Sequence, residues 1–268
     1  MSAGYQEDLI YDVGLHKGED SEFYLKKGFR VVAIEALPAL AESAAERLRG
    51  YLSNGQLIIL NVAVAERDGP LTYFENLRCS LWGTTLPERA EKNDKWAKQS
   101  SVQLTVQGVN FANILRKYGI PYYLKVDIEG ADKLCLEALK DFKGRPKYIS
   151  MEPREPSTKD LRREFALLRA LGYSRFKVVR QDTVVEQECP YPAKEGHYVY
   201  HHFEADASGL FGEEAPGDWV DEAEAIRVCR SIFFKSKLST QLSRMHLRRL
   251  FQRIVPDPGW YDIHAAME

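Results

Sequence analysis

Short apolar runs alternate with helix-like segments along most of the chain, and this alternation constrains the fold more than any other feature. Runs such as Leu9–Val13, Arg30–Ile34 and Tyr122–Val126 are short and almost continuously apolar, which is typical of strands buried on both faces. Segment 37–49 has a proline near its start and a glycine after its end, as helices commonly do. The pattern predicts an α/β protein with a mostly parallel, doubly wound sheet and helices on both faces.

The later part of the chain is expected to close the sheet. Residues 175–179 and 198–203 are predicted to be its last two strands. Residues 75–101 are polar and irregular, and so long a loop inside a compact domain usually has a functional role or moves. We therefore expect one domain over residues 1–205, followed by a C-terminal loop and helical extension over residues 206–268 that packs on it.

Composition argues against several classes of protein. With 37 Lys and Arg against 39 Asp and Glu, the net charge of −2 gives no basic excess that would indicate nucleic-acid binding. No run of about 18 apolar residues predicts a membrane span, and the polar N-terminus does not resemble a signal peptide. The 4 cysteines include no closely spaced pair, so we expect free thiols in a reducing compartment and a cytoplasmic protein.

Charges are separated near the C-terminal end. Residues 204–224 carry eight acids and no Lys or Arg, whereas residues 227–253 carry eight bases and no acid. The two stretches either pair with each other or form solvated faces. Alternatively, a helix presents a basic face to an anionic group on a phosphorylated substrate, a lipid or a partner. The residues of this face are Arg244, Arg248, Arg249 and Arg253.

The clearest sign of a ligand site is Asp12-Val-Gly-Leu-His-Lys-Gly18, which follows the first strand. Gly14 permits a tight turn, and Gly18 permits close approach of the backbone to a ligand. The next helix is expected to point its N-terminal amides into the crevice where open α/β sheets bind ligands. Glu35 ends the second strand and is placed to accept hydrogen bonds from both hydroxyls of a ribose.

Two cofactor classes use this arrangement. A dinucleotide needs Gly-x-Gly-x-x-Gly so that its pyrophosphate can approach the glycines, whereas this turn has Leu15 and His16 at the middle positions. The carboxylate of Asp12 suits a cationic amine better than a pyrophosphate. S-adenosylmethionine carries an α-amino group and a sulfonium but no phosphate, so the sequence favours it over NAD.

A second acidic segment, Tyr123-Leu-Lys-Val-Asp-Ile-Glu-Gly130, follows a buried strand. Asp127 and Glu129 either lie in the ligand crevice or cap the next helix. Methyl transfer to a hydroxyl needs a base, and the candidates are His16, Asp127 and Glu129, with Glu152 a weaker one. The alternative for His16 is a plain turn residue. No zinc-type spacing occurs and no metal is indicated, although the three carboxylates could bind a divalent ion.

Four segments together resemble the FkbM-type family of S-adenosylmethionine-dependent methyltransferases. They are Asp12-Val-Gly-Leu-His-Lys-Gly18, Val32-Ala-Ile-Glu35, Asn61-Val-Ala63 and Leu124-Lys-Val-Asp-Ile-Glu-Gly130. The similarity covers roughly residues 8–155, and Ser208-Gly-Leu-Phe-Gly212 resembles a downstream loop of many relatives. The resemblance implies a Rossmann-like class I methyltransferase fold with a seven-stranded sheet.

The resemblance also implies roles for single residues. Those expected to bind the cofactor are Asp12, Gly14 and Gly18 in the turn, Glu35 and Ala36 at the ribose, Asn61 and Ala63 at the adenine, and Asp127 at the methionine end. His16 departs from the family, whose members usually have Asn at this position.

We therefore expect an S-adenosylmethionine-dependent O-methyltransferase that acts on a hydroxyl of a sugar, polyketide or similar small molecule or glycan. Two alternatives stay open: a non-catalytic interaction module that keeps the cofactor fold, and an NAD-dependent oxidoreductase. The identity of the bound cofactor separates these three hypotheses.

Overall fold

Strands account for much of the structure, which is a computed structural model that describes residues 4–153, 158–244 and 259–268. Its strands are β1 (Tyr5–Val13), β2 (Arg30–Ile34), β3 (Leu57–Leu60), β4 (Ala63–Ala65), β5 (Gly69–Glu75), β6 (Val102–Asn110), β7 (Ile120–Val126), β8 (Tyr148–Met151), β9 (Arg175–Arg180) and β10 (Tyr261–Ala266). Its helices are α1 (Glu19–Lys26), α2 (Pro38–Arg47), α3 (Arg49–Ser53), α4 (Pro87–Ala97), α5 (Phe111–Tyr118), α6 (Asp132–Leu139), α7 (Thr158–Ala170) and α8 (Glu222–Arg244).

Seven of the strands form one sheet in the order β3-β2-β1-β7-β8-β10-β9. β1 is parallel to both β2 and β7, and β7 is parallel to β8, whereas β10 is antiparallel to both of its neighbours. The order of the strands reverses between β1 and β7, because the chain adds β2 and β3 on one side of β1 and later adds β7 and β8 on the other. Ligands of open α/β sheets bind beyond the carboxyl ends of the strands at such a point. The predicted Rossmann-like, mostly parallel sheet of seven strands is confirmed.

Helices cover both faces of this sheet, and each face has its own apolar core. On one face, α5 to α8 bury side chains that include Leu115, Phe165 and Cys229. On the other face, Phe23 and Tyr24 of α1 pack with side chains of α2. Because the sheet is covered on both sides, its strands read in the sequence as continuous apolar runs rather than as alternating ones.

An irregular segment, rather than another helix, completes the second face. The ring of Phe211 stacks on that of Tyr123 with centroids 4.6 Å apart, and Phe203 meets Phe23 at 4.8 Å in an edge-on contact. The strand predicted at 198–203 is therefore wrong. Within this run, the rings of His201 and Phe203 pack on Phe23 of α1, whereas Tyr198 and Tyr200 are exposed.

The seventh strand of the sheet comes from the C-terminal end of the chain. β10 lies between β8 and β9, where Ile263 pairs with Met151 on one side and Val178 on the other. Segment 206–268, which the sequence assigned to an extension, thus contributes one strand to the sheet. The short run that forms β10 follows a long charged stretch, and nothing local marks it as a partner of β8.

A second sheet has three strands in the order β4-β6-β5. Residues of β4 and β5 line the crevice at the carboxyl ends of the main sheet. The strand-like runs near 71–74 and 102–106 pair with each other here rather than joining the main sheet. The loop predicted over 75–101 contains a 3-10 turn and α4. α4 carries no apolar stripe that could have predicted it, since it buries only Ala90, Asn93 and Ala97.

The basic face predicted for the C-terminal region is only partly described. α8 extends as far as residue 244, but the side chain of Arg244 and all of Arg248, Arg249 and Arg253 lie outside the described residues. Within the described ranges, no helix combines the length and the apolar composition that crossing a lipid bilayer requires.

Candidate functional site

A cavity of about 450 Å³ opens at the carboxyl ends of the parallel strands. Gly14, Glu35, Asp127, Glu152 and Gln181 line it, and they follow β1, β2, β7, β8 and β9, respectively. Parallel strands bring their carboxyl ends to one edge, so residues far apart in sequence meet there.

Most of the site residues predicted from the sequence line this cavity: Gly14, His16, Glu35, Ala36, Ala63, Asp127 and Glu129. Three others, Asp12, Gly18 and Asn61, are not among the lining residues. Each of these three residues instead contacts residues next to the cavity and helps to hold them in place.

Gly14 lies in the turn after β1, as predicted, and it also permits a close backbone contact that the sequence did not indicate. Gly14 has a φ of 95°, which favours glycine, and a Cβ added there would overlap the carbonyl oxygen of Asp127. The close approach at this turn is thus between two strand ends of the protein. It brings the first turn against the residue that follows β7.

Gly18 likewise permits close packing, in this case between the start of α1 and Leu48. It precedes α1 with a φ of 89°, and a Cβ added there would lie 2.8 Å from Leu48 Cδ1. The structure therefore gives Gly18 a role in seating α1 against its neighbour. The prediction that Gly18 contacts a ligand directly has no support in this geometry.

Asp12 is fully buried in an ion-pair network beneath the cavity. Lys125 Nζ lies 3.1 Å from Asp12 Oδ1 and 3.2 Å from Asp20 Oδ2, and Ser21 Oγ donates to Asp12 Oδ2 at 2.7 Å. Burial raises the pKa of Asp12 to about 6 despite the attraction of Lys125. Lys125, whose pKa the two carboxylates raise well above its usual value in spite of burial, serves as the cation that Asp12 needs.

Glu35 lies at the end of β2 with only 6% of its surface exposed. Its two carboxylate oxygens accept backbone N–H groups, Oε2 from His16 at 2.9 Å and Oε1 from Leu37 at 2.9 Å. Burial raises the pKa of Glu35, and these two hydrogen bonds act against that rise. Each oxygen retains lone-pair capacity, so the carboxylate is fixed in place and can still accept hydroxyl groups from the cavity.

Asn61 holds the backbone next to Glu35. Its side-chain Nδ2 donates to the carbonyl of Glu35 at 2.9 Å and to that of Ala36 at 3.2 Å. Ala63, with its two neighbours, lines the cavity and supplies an apolar surface beside the carboxylate. Within the segment predicted to lie along the adenine, Asn61 therefore stabilises the backbone, whereas Ala63 forms part of the cavity wall.

His16 lies in the turn with a left-handed backbone, its φ being 54°. Asn and His are both among the residues enriched in this conformation, which is consistent with His at a position where the family usually has Asn. Its Nδ1 lies 3.1 Å from Glu19 Oε1 and its Nε2 lies 2.8 Å from Ser80 Oγ. Both ring nitrogens are therefore engaged by the protein.

Asp127 and Glu129 both reach the cavity, which favours the functional interpretation over the helix cap. The N-cap of α6 is Ala131, without a side-chain cap hydrogen bond, and the carboxylate of Asp132 accepts from Gly130 N at 3.0 Å in the preceding turn. Glu129 also has a left-handed backbone, with a φ of 53°, and Arg89 Nε donates to its Oε2 at 2.7 Å. Burial raises the pKa of Glu129 to about 7, although Arg89 opposes the rise.

Among the lining residues that were not predicted as site residues are Arg89, Gln181, Trp260 and Asp262. They come from α4, from the end of β9 and from the start of β10. The last three are brought together by the pairing of β9 with β10, in which Gln181 N donates to the carbonyl of Trp260 at 2.9 Å. Prediction of β10 as a strand of the main sheet would have placed these last three residues at the cavity.

The mouth of the cavity is bordered by two segments from distant parts of the chain. Residues 79–83 and 85 line it from one side, and residues 205–208 line it from the other. Ser208 N donates to Asp20 Oδ1 at 2.8 Å, so the segment before Gly212 is attached to the first turn of α1. Part of the segment that was predicted to be a loop over 75–101 thus lies in the cavity wall.

One group of possible metal ligands occurs among the described residues. Single ligand atoms of His16, Glu19 and Asp206 lie within 4.8 Å of one another at the edge of the cavity. Sequence spacing could not indicate this group because Asp206 is far from the other two. The nitrogens of His16 are held by Glu19 and Ser80, so the group as it stands is a hydrogen-bonded support for the turn.

A family model for the FkbM methyltransferase domain matches residues 12–175, which include the turn, Glu35 and Asp127. The chain belongs to the FkbM methyltransferase family. The match includes every cofactor residue predicted from the sequence, and it ends within β9. Among curated proteins, no relative matches this chain.

Solved structures of methyltransferases resemble the chain only distantly. An FkbM methyltransferase from Methylobacillus flagellatus KT is 18% identical with a TM-score of 0.42, over 65% of this chain and 40% of its own. A SAM-dependent O-methyltransferase from Thermotoga maritima is 14% identical with a TM-score of 0.32, over 65% of this chain and 48% of its own. This chain thus covers less than half of either protein, and the family assignment rests on the matched domain.

Proposed function

We propose that this member of the FkbM family uses S-adenosylmethionine to methylate a hydroxyl group on a small molecule or glycan. The observation that carries the proposal is Glu35. It is a buried carboxylate, fixed by two backbone N–H groups at the end of β2, with lone pairs directed to an acid-lined cavity. A cavity of about 450 Å³ is in the range of small-molecule sites.

The charges around the cavity fit S-adenosylmethionine better than a dinucleotide. A pyrophosphate binds at a helix N-terminus, but the first turn of α1 carries Glu19, Asp20 and Glu22. These carboxylates would repel phosphate groups and attract a sulfonium and an ammonium group. Within the proposal, Glu35 would hold the ribose hydroxyls, Ala63 and its neighbours would lie along the adenine, and Asp127 would bind the α-amino group.

When bound, the cofactor supplies a methyl group that is activated by its sulfonium. The chain itself has to hold the acceptor and remove its proton. Glu129 supports the role of base because a pKa of about 7 leaves its carboxylate substantially ionised at neutral pH, while it can still accept a proton. Arg89 Nη2, 2.6 Å from Glu129 Oε2, holds this carboxylate in one orientation.

His16 supports the site by position rather than as the base. Both of its ring nitrogens are occupied, and its backbone N–H is one of the two that fix Glu35. We also infer a cytoplasmic location, because all four cysteines, Cys79, Cys135, Cys189 and Cys229, are free thiols.

Calorimetric titration with S-adenosylmethionine, S-adenosylhomocysteine and NAD tests the cofactor. We expect micromolar binding of the first two and none of NAD. Binding of NAD alone would replace the proposal with an oxidoreductase, and binding of none of the three would favour a non-catalytic module. Release of S-adenosylhomocysteine in the presence of a panel of sugars and polyketides then tests for the methyl acceptor.

A further inference from the structure

The half of the cavity that faces β8, β9 and β10 has a composition that the cofactor does not explain. We name it the acceptor half, and it is defined by Arg89, Glu129, Glu152, Gln181, Trp260 and Asp262. It contains three carboxyl groups and a single guanidinium. The nearby Lys125 lies against Asp12 and Asp20.

The cations near the acceptor half already have carboxylate partners. Arg89 Nη2 lies 2.6 Å from Glu129 but 3.5 Å from Glu152. Asp262 has no ion-pair partner within 4.0 Å among the described residues. In the proposed function the α-amino group of the cofactor is bound by Asp127. Glu152 and Asp262 are therefore left with no strong cationic partner.

These carboxyl groups also affect one another through the cavity. Burial raises the pKa of Glu152 well above its usual value, and the carboxylates of Glu129 and Asp127 raise it further. Burial also raises the pKa of Asp262 well above its usual value, and the negative charge of Asp127 adds to this rise. A bound cation would relieve this repulsion, whereas an anionic ligand would increase it.

Gln181 gives independent evidence for a ligand. The residue is 3% exposed, and neither its amide oxygen nor its amide nitrogen has a hydrogen-bond partner among the residues that the structure describes. Buried polar groups are nearly always paired, and an orphan that lines a cavity is explained when a ligand supplies the partner. An amide offers one acceptor and two donor hydrogens, which suits hydroxyl or ammonium groups.

Trp260 completes the subsite with an aromatic surface. It is 57% exposed and lines the cavity beside Gln181, to which it is tied by a backbone hydrogen bond. An aromatic face attracts a cation above it and also packs against the C–H face of a sugar ring. An exposed tryptophan at the rim of an acidic pocket therefore points to the same kind of ligand as the carboxylates do.

We propose that the acceptor half recognises a hydroxylated molecule that carries a protonated amine, with Asp262 and Glu152 facing the ammonium group, Gln181 bonding to a hydroxyl, and Trp260 covering the ring. This inference rests on the proposed function, because it assigns the acceptor of that same site. It excludes phosphorylated and carboxylated acceptors. It makes charge, rather than shape alone, the basis of specificity.

Glucosamine and N-acetylglucosamine form a matched pair of probes that differ in the charge of one nitrogen. Binding of each is measured by calorimetry or ligand-observed NMR, with and without saturating S-adenosylhomocysteine. We expect glucosamine to bind with a Kd of about 1 mM, the strength typical of a ligand of this size, and at least 10-fold more tightly than its acetylated form. Asp262→Asn should remove that difference and leave S-adenosylhomocysteine binding unchanged.

Two further variants complete the design. Gln181→Met keeps the volume of the side chain but not its polar atoms, and it should weaken both sugars to a similar extent. Asp141→Asn, at a carboxylate 64% exposed beyond α6, is the matched control and should change neither. Equal binding of the two sugars, tighter binding of the acetylated one, or binding of neither overturns the inference. Failure of S-adenosylhomocysteine to bind, by contrast, overturns the proposed function.

Discussion

The two halves of the cavity are built in different ways. The half proposed for the cofactor consists of Gly14, Glu35 and Ala63 with their neighbours, and its polar groups are already paired within the protein. The acceptor half draws on α4, β8, β9 and β10. Among the described residues, the side-chain amide of Gln181 has no hydrogen-bond partner and the carboxylate of Asp262 has no ion-pair partner. One half is preorganised by its own backbone, whereas the other needs its ligand to complete its hydrogen bonds.

This difference teaches where specificity can vary within one fold. A site fixed by backbone N–H groups, such as that of Glu35, depends on strand ends that every sheet of this type possesses. A site made of side chains from the closing strands can change without disturbing the turn after β1.

The largest effect is expected from Gly14→Ala. The added methyl group would overlap the carbonyl of Asp127, so β1 and β7 would have to separate at the centre of the sheet. We expect a loss of about 4 kcal/mol in the free energy of unfolding, measured by urea denaturation, together with loss of S-adenosylhomocysteine binding.

Gly55→Ala is the matched control for the backbone conformation. Gly55 also has a positive φ, of 78°, but a Cβ there would meet nothing within 4 Å. It should cost only about 1–2 kcal/mol, the penalty of the left-handed conformation itself. Equal losses in the two variants would show that the approach of Gly14 to Asp127 is not what constrains the turn.

Glu35→Gln tests whether the preorganised half binds the cofactor. The amide NH₂ would face either the N–H of His16 or that of Leu37, so one backbone donor would lose its acceptor. We expect S-adenosylhomocysteine to bind about 10- to 100-fold more weakly in calorimetry, because hydrogen bonds to charged groups are worth about 1.5–3 kcal/mol. Glu46→Gln, at a side chain 78% exposed, is the control. Unchanged affinity in Glu35→Gln would remove the ribose role.

The sequence predicts the residues of the cofactor half of the cavity far better than those of the acceptor half. The apolar runs of the strands are unmistakable. Asp12 lies near the end of β1, and Gly14, Glu35 and Asp127 directly follow strands, so their placement near one edge of the sheet could be inferred. Their finer roles could not, since only the fold shows that Asp12 is neutralised by Lys125. The acceptor half depends on the pairing of β10, a contact between segments more than 80 residues apart, which no local pattern encodes.

His264 tests the strand that supports the acceptor half. It lies on β10, two residues after Asp262, and neither ring nitrogen has a hydrogen-bond partner within the described part of the chain. Burial lowers the pKa of His264 to about 3, below that of the unfolded chain, so this residue makes the fold less stable as pH falls below about 6.5. His264→Leu should reduce the loss of stability between pH 8 and pH 5 by about 2 kcal/mol in urea denaturation.

His202→Leu is the matched control for this pH dependence. His202 is exposed, so its removal should leave the slope of stability against pH as it is in the parent chain. If His264→Leu also leaves the slope unchanged, then His264 is protonated in the folded state, and the interior of β10 must be more polar than its contacts indicate.

The smallest effect is expected within the acceptor half, at the ion pair between Arg89 and Glu129. The guanidinium lowers the pKa of Glu129, which burial has raised to about 7, so Arg89→Gln should raise it further, by about one pH unit or more. A ¹³C NMR titration of the glutamate carboxyl groups measures this without any acceptor. Arg78→Gln, on the exposed loop before Cys79, is the control and should leave the titration unchanged. A parent Glu129 that titrates near 4.5 would contradict its role as a base at neutral pH, because its carboxylate would then be too weak an acceptor for a hydroxyl proton.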